Sequence, residues 1–170
     1  MDNYSRYILS WRIEKVVSAK IRLETFQEAI HSTFGKKSPS SFIQLVTDGG
    51  PENVNTTIKE FMDENSATIH QTIALKDIVQ SNSMMESFYR ITKYTWLYRK
   101  NIKDYNQLCH EFENWIQEYQ FEKPHYALGI HTPYEVMKGA DKLQLFSERM
   151  KQAAKKRREF NKNVGCNKEC

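Results

Sequence analysis

The 170-residue sequence contains little cysteine, glycine or proline, with 3 cysteines, 6 glycines and 4 prolines. Three cysteines are too few, and odd in number, for a disulfide framework, so we expect reduced thiols in a cytoplasmic protein. No run approaches the roughly 18 consecutive apolar residues of a membrane span, and the N-terminus lacks a basic region followed by an apolar core. These absences exclude a disulfide-stapled secreted module and favour an ordinary globular protein.

Several motifs of enzyme chemistry are also missing. The sequence has no glycine-rich phosphate loop, no nucleophile elbow and no internal repeat. Cys166 and Cys170 have no nearby histidine and do not form a zinc-binding pattern. The five histidines include no pair spaced four residues apart for one helical face. Carboxylates are therefore the strongest candidates for chemistry in this chain.

Hydrophobic periodicity predicts strands and helices that alternate in the first half of the chain, followed by helices alone. The predicted strands are 4–13, 42–46 and 67–73. The predicted helices are 18–34, 56–64, 82–100, 105–121, a short helix from residue 131, and 141–163. This order of elements predicts an α/β layer fold.

Positive charge is concentrated near the C-terminus. The whole chain carries a net charge of +4, whereas residues 148–162 carry +5, so the remainder sums to −1. The basic residues of this segment are Arg149, Lys151, Lys155, Lys156, Arg157, Arg158 and Lys162. Such a run can hold phosphates by sequence-independent charge neutralisation, and a solvated terminal helix is the alternative.

Asp48 follows the apolar run 42–46 and precedes Gly49-Gly50. Open α/β sheets place ligand sites at the C-terminal ends of strands, and two glycines leave room for a phosphate or metal. An Asp-Gly turn at the end of a strand has the same sequence pattern. Asp48 is therefore a candidate metal ligand, with a plain turn as the alternative.

Glu86 lies near the start of the predicted helix 82–100. Asn82, Arg90 and Lys93 share its helical face by spacing, which would place an amide, an acid and two bases in one line. Ser83-Met-Met-Glu86 also fits a capping box, and a solvated face of ion pairs would give the same spacing. Two carboxylates are the right chemistry for Mg²⁺, and two such ions about 4 Å apart can activate an attacking oxygen and stabilise a leaving one.

Four motifs follow one another in a distinctive order. They are Asp2-Asn-Tyr-Ser-Arg6, Thr47-Asp48-Gly49-Gly50, the segment from Asn82 through Glu86 to Lys93, and Tyr119–Gly129 followed by Thr132-Pro133. Together they span about residues 2–138. In this order they resemble the catalytic core of insertion-sequence transposases of the retroviral-integrase type, which has an RNase H-like fold and a DDE triad of acids.

The resemblance implies metal-dependent phosphodiester cleavage and strand transfer on DNA, by a chain that acts as a homo-oligomer. Asp48 and Glu86 would be catalytic and would ligate Mg²⁺ or Mn²⁺ in a two-ion site. Asn82, Arg90 and Lys93 would contact DNA, together with the basic residues Lys155, Lys156, Arg157 and Arg158. The core would be residues 1–138, and residues 139–170 would form a basic C-terminal helix and tail.

Two departures from the family pattern bear on activity. Lys123 stands where the tail motif usually has arginine, which keeps the charge and loses the bidentate fork. The family's first catalytic acid lies on a first strand before the D-x-x-S-R turn, whereas only Met1 precedes Asp2. Asp2 matches the turn acid. We therefore expect an N-terminally truncated core without its first strand, inactive or weak, with exposed strand edges.

Two further hypotheses belong to other classes. A remnant that binds DNA or assembles with other copies would use the basic face and the C-terminal helix without chemistry. Another RNase H-like nuclease would cleave DNA without joining ends.

Overall fold

The computed structural model describes residues 1–35, 42–74, 83–142 and 144–163. Its helices are α1 (Ala19–Phe34), α2 (Thr56–Glu64), α3 (Ser83–Ile91), α4 (Tyr105–Gln117), α5 (Pro133–Met137) and α6 (Gln144–Asn163), and its strands are β1 (Ile43–Thr47) and β2 (Ile69–Ile73). The chain divides into two units, Met1–Phe112 and Glu113–Cys170. This mixture of helices with a small sheet is compatible with the α/β core that the resemblance implies.

The sheet of the first unit is a parallel pair. β1 and β2 run in register from Ile43 opposite Ile69 to Thr47 opposite Ile73. Parallel strands need a crossover connection, which α2 supplies. Strand and helix predictions for this stretch are confirmed, because α2 has the predicted bounds and both strands fall within two residues of theirs.

The core of the first unit lies between the sheet and helices α1 and α2. Ile58, Met62 and Ile69 are buried at its centre. Packed against them are the partly buried side chains of Leu23, Phe26, Ile30, Ile43, Leu45 and Phe61. Full burial of an aliphatic side chain of this size contributes about 1.5–3 kcal/mol. This cluster holds β1 in place, and Asp48 directly follows the C-terminal end of that strand.

Residues 4–13, predicted as a strand, do not form one, and this prediction is wrong. Asp2 closes a turn instead: its carboxylate accepts from the Ser5 amide and hydroxyl at 2.7 and 2.6 Å. The segment that follows is held by α1, because Arg12 pairs with Glu24 and Glu28. The branched and aromatic residues of this segment have the composition of a strand, which is why a strand was predicted. In the structure, side-chain bonds to α1 hold the segment instead.

The predicted helix 82–100 is confirmed as helical from residue 83, although it is not α-helical throughout. α3 passes into a π-helical turn at Thr92–Trp96 and then a 3₁₀ turn at Leu97–Arg99. π turns inside α-helices are rare and are frequent at functional sites. Asn82 lies outside the described residues, so its predicted role has no structural description.

The predicted helix 105–121 begins in the first unit and ends in the second. It is α-helical to Gln117 and continues as a π turn, Glu118–Glu122. Trp115, Ile116 and Tyr119 are buried on its inner side. Pro124 follows, and the residue before a proline is restricted to extended backbone. The helix therefore ends where the sequence pattern places its end.

A tight loop joins that π turn to α5. His125 and His131 form an antiparallel bridge, and between them Gly129 has φ of 64°. A Cβ built on Gly129 would lie 2.2 Å from the carbonyl oxygen of Lys142, so only glycine fits here. Thr132 and Glu135 then form a capping box at the start of α5.

The final helix, α6, begins at Gln144 and carries the predicted basic residues. Among the parts of the chain that the structure describes, no helix combines the length and the hydropathy of a membrane span.

Candidate active site

Asp48 directly follows the last residue of β1 and is exposed. Its Oδ1 accepts from the Gly50 amide at 3.2 Å and from Asn53 Nδ2 at 2.5 Å. The first bond is the turn that the alternative interpretation predicted, so the turn is present. Both donors act on one oxygen, and Oδ2 accepts no hydrogen bond from the described residues. The carboxylate is held on one side and open on the other.

A buried polar network holds in place the residues that position Asp48. Asn53 and Thr47 are only 4% and 6% exposed. Gln71 Nε2, on β2, donates to Thr47 Oγ1 and to the Asn53 carbonyl, each at 3.0 Å. Asn53 is thereby fixed by its backbone while its side chain reaches Asp48. Its own Oδ1 is buried without a hydrogen-bond partner in the described structure.

The α3 helix and the turns after it have two distinct faces. Phe88, Thr92 and Trp96, spaced four apart, are buried, and Trp96 packs edge-on against Phe112 at 5.6 Å. A position two residues away from a buried one is rotated by about 200° around a helix. The opposite face therefore carries Glu86, Arg90, Tyr94 and Tyr98, all of which are exposed.

The Glu86 carboxylate lies on this outward face. Among the described residues, the Ser83–Glu86 bond of a capping box is not present, and the Glu86 side chain makes no hydrogen bond or ion pair. Arg90 and Lys93 follow it by one and two helical turns, and both are exposed without an ion pair among those residues. The described residues therefore form no ion pairs along this exposed face, and its contact with metal or DNA stays a prediction.

The donor chemistry of the two acids fits a hard divalent cation. Asp48 Oδ2 and the Glu86 carboxylate offer oxygen ligands, and Mg²⁺ usually binds through one or two carboxylates plus substrate phosphates and waters. Within residues 1–35, 42–74, 83–142 and 144–163, no three His, Cys, Asp or Glu side chains form a group that could hold a metal. A centre shared by Asp48 and Glu86 stays a prediction.

The remaining predicted DNA contacts lie on α6. Lys155, Lys156, Arg157 and Arg158 are consecutive and all exposed. Four consecutive residues point in different directions around a helix, so they surround α6 with positive charge. Their contact with DNA stays a prediction.

Lys123, which replaces the family's usual arginine, has a defined contact. Its Nζ lies 4.8 Å from the centre of the Trp115 ring. A lysine over an indole face is a favourable cation–π geometry. The charge of Lys123 is therefore held against an aromatic ring, and its part in the family's tail motif stays a prediction.

Asn53 and Gln71 were not predicted from the sequence. Asn53 follows Asp48 by five residues, and Gln71 is on the neighbouring strand. An Asn in a loop and a Gln in an alternating strand are common, so neither gives a distinguishing signal. Their importance comes from strand register, which places Gln71 beside the end of β1.

Comparison with known proteins supports one family. Residues 79–133 match the family model described as "Integrase core domain". No curated protein and no solved structure gives a significant match. The matched segment contains Glu86, the outward face of α3 and the whole of the predicted tail motif. Over this segment the chain is similar to the core domain of integrases, which supports an integrase or transposase core.

Proposed function

We propose that this chain acts in DNA integration or transposition, with Asp48 and Glu86 holding Mg²⁺ or Mn²⁺ against a DNA phosphodiester. The observation that carries the proposal is the outward face of α3. Among the described residues, Glu86 and the two bases in the next two turns form no ion pair, and all three lie inside the segment that matches an integrase core. We also propose that this core has an RNase H-like arrangement. The chain would act on paired DNA ends as a homo-oligomer.

When bound, the divalent cations supply an activated water or 3′-hydroxyl and stabilise the leaving oxygen. The chain's own residues orient the ligand oxygen of Asp48 and neutralise DNA phosphates. Asn53 and Gly50 hold Asp48 Oδ1, which leaves Oδ2 as the ligand oxygen. Arg90 and Lys93 neutralise the phosphates beside the one that Glu86 faces.

We further propose that residues 1–170 alone are inactive or weak in strand transfer. The described residues bring no third acid into a group with Asp48 or Glu86, and Asp2 is engaged in its own turn. Joining of a pre-cut DNA end to a target, measured with Mg²⁺ and with Mn²⁺, should give little or no product. Robust turnover by this chain would contradict the proposal.

The metal role is tested by DNA binding, which does not need turnover. Mg²⁺ should strengthen binding of a DNA end, and Glu86→Gln should remove the Mg²⁺ effect while keeping the metal-free affinity. Glu60→Gln is the matched control, because Glu60 is an exposed glutamate on α2. An equal Mg²⁺ effect in wild type and Glu86→Gln would show that Glu86 holds no metal.

A non-catalytic DNA-binding role is the second candidate, favoured by the exposed bases of α6, Lys155, Lys156, Arg157 and Arg158. Each lost phosphate contact lowers the salt dependence of log K by about 0.9. Replacing all four bases with glutamine should therefore reduce the slope by up to about 3.6 if this role is correct. An unchanged slope would show that α6 is only solvated.

A further inference from the structure

Tyr94 and Tyr98 form an exposed aromatic pair on the outward face of α3 and its following turns. Their side chains are 64% and 65% exposed. The ring centroids lie 5.4 Å apart at 85°, so the two rings support each other edge to face. They continue the line of Glu86 and Arg90 on the side away from the buried Trp96.

The charges around this pair favour a polyanion as the occupant. Arg90, Lys93 and Arg99 are exposed, and none has an ion pair among the described residues. Glu86 is the one acid on the stretch 83–99. A protein surface that combines unpaired cations with exposed aromatic rings has the composition of sites that bind single-stranded nucleic acid.

We propose that Tyr94 and Tyr98 form a stacking step for an unpaired base at a DNA end. The inference rests on the proposed function, since it assigns the base-contacting part of the same DNA-binding face. Arg90 and Lys93 meet the backbone phosphates, and the rings hold the base. Every base has a π-face, so this contact recognises an unstacked base without reading its sequence.

The spacing along the helix gives the position of that base. Tyr94 follows Glu86 by eight residues, which is about 12 Å along a helix axis. Successive nucleotides of one strand are about 3.4 Å apart along duplex DNA. The stacked base therefore lies about three to four nucleotides from the phosphodiester that Glu86 faces.

The test uses the 170-residue chain and DNA ends with a single-stranded overhang in which 2-aminopurine replaces one base at successive positions. Wild type should quench the fluorescence most at the third or fourth position. Tyr94→Ala and Tyr98→Ala should lose the quenching and bind the overhang roughly 5- to 150-fold more weakly. Tyr94→Phe keeps a ring and should retain both. Tyr126→Ala is the control, since Tyr126 is 83% exposed and lies in the other unit.

The outcomes separate this inference from the proposed function. If wild type binds DNA but the alanine variants match it in affinity and quenching, the stacking step is refuted and DNA binding stands. If wild type binds no DNA, both proposals fall. If the variants change the sedimentation coefficient and not DNA binding, the rings lie at a contact between copies, and the stacking step is refuted. Near-ultraviolet circular dichroism checks that each variant keeps the packing of Trp96 on Phe112.

Discussion

Removing the side chain of Asn53 separates the positioning of Asp48 from the stability of the fold. Asn53→Ala deletes the 2.5 Å bond to Asp48 Oδ1 and leaves the Gly50 amide bond at 3.2 Å. The bond from Gln71 to the Asn53 carbonyl stays, because it uses the backbone. The Asp48 carboxylate then keeps only the bond from the Gly50 amide and can rotate.

The two effects on stability oppose each other. A hydrogen bond to a charged group contributes about 1.5–3 kcal/mol, and a buried unsatisfied polar atom costs about 1–3 kcal/mol. Asn53→Ala removes one of each, since the buried Oδ1 of Asn53 has no partner in the described structure. The free energy of unfolding should therefore change by no more than about 2 kcal/mol in either direction. Metal affinity should fall about 10- to 100-fold, as for other residues that orient a metal ligand.

Urea unfolding and a Mn²⁺ titration followed by electron paramagnetic resonance, in the presence of DNA, measure the two quantities. Asn106→Ala is the matched control, because Asn106 is exposed on α4 and its side chain makes no hydrogen bond with the described residues. It should change neither quantity. Asp48→Asn should abolish the Mn²⁺ response. If Asn53→Ala keeps the wild-type Mn²⁺ affinity while Asp48→Asn shows no Mn²⁺ response, the positioning role of Asn53 is refuted.

Two further predictions concern the fold. Gly129→Ala should lower the free energy of unfolding beyond Gly35→Ala. Both glycines have a positive φ that strains an alanine, but only Gly129 brings a Cβ against the Lys142 carbonyl oxygen, at 2.2 Å. Equal losses in urea unfolding would contradict the close approach. The Arg12 bond holds the pKa of Glu28 below its usual range, so this pair stabilises the N-terminal segment above the usual pKa and releases it as pH falls through the lowered one. The protection factors of the amides of residues 7–13 should fall at acid pH in wild type, whereas Glu28→Gln, which keeps only the Arg12–Glu24 pair, should lower them at neutral pH and weaken their dependence on pH.

Local patterns in the sequence predicted the helices well. α2 has its predicted bounds because its apolar spacing is helical and Asn55 caps it, accepting from the Ile58 amide at 3.0 Å. The outward face of Glu86 followed from the same periodicity, since helical position depends on neighbours within a few residues. These features depend on residues that are close together in the chain, so a single sequence is enough to predict them.

Features that depend on distant pairing could not be predicted in this way. The strand predicted at 4–13 has the composition of a strand, yet a strand also needs a partner, and Arg12 joins this segment to a helix instead. Gln71 reaches the Asn53 carbonyl across 18 residues of sequence, through the register of two strands. Whether Asp48 and Glu86 meet over one metal is a property of the same kind.

We propose that Asp48 and Glu86 hold one metal centre on DNA. Mn²⁺-induced broadening of the carboxylate ¹³C resonances of these two residues, in the DNA complex of the 170-residue chain, tests this directly. Both signals should broaden together at the same low Mn²⁺ concentration, and Asp48→Asn should remove the effect at Glu86. Broadening of one signal alone, or of neither while DNA stays bound, would contradict it.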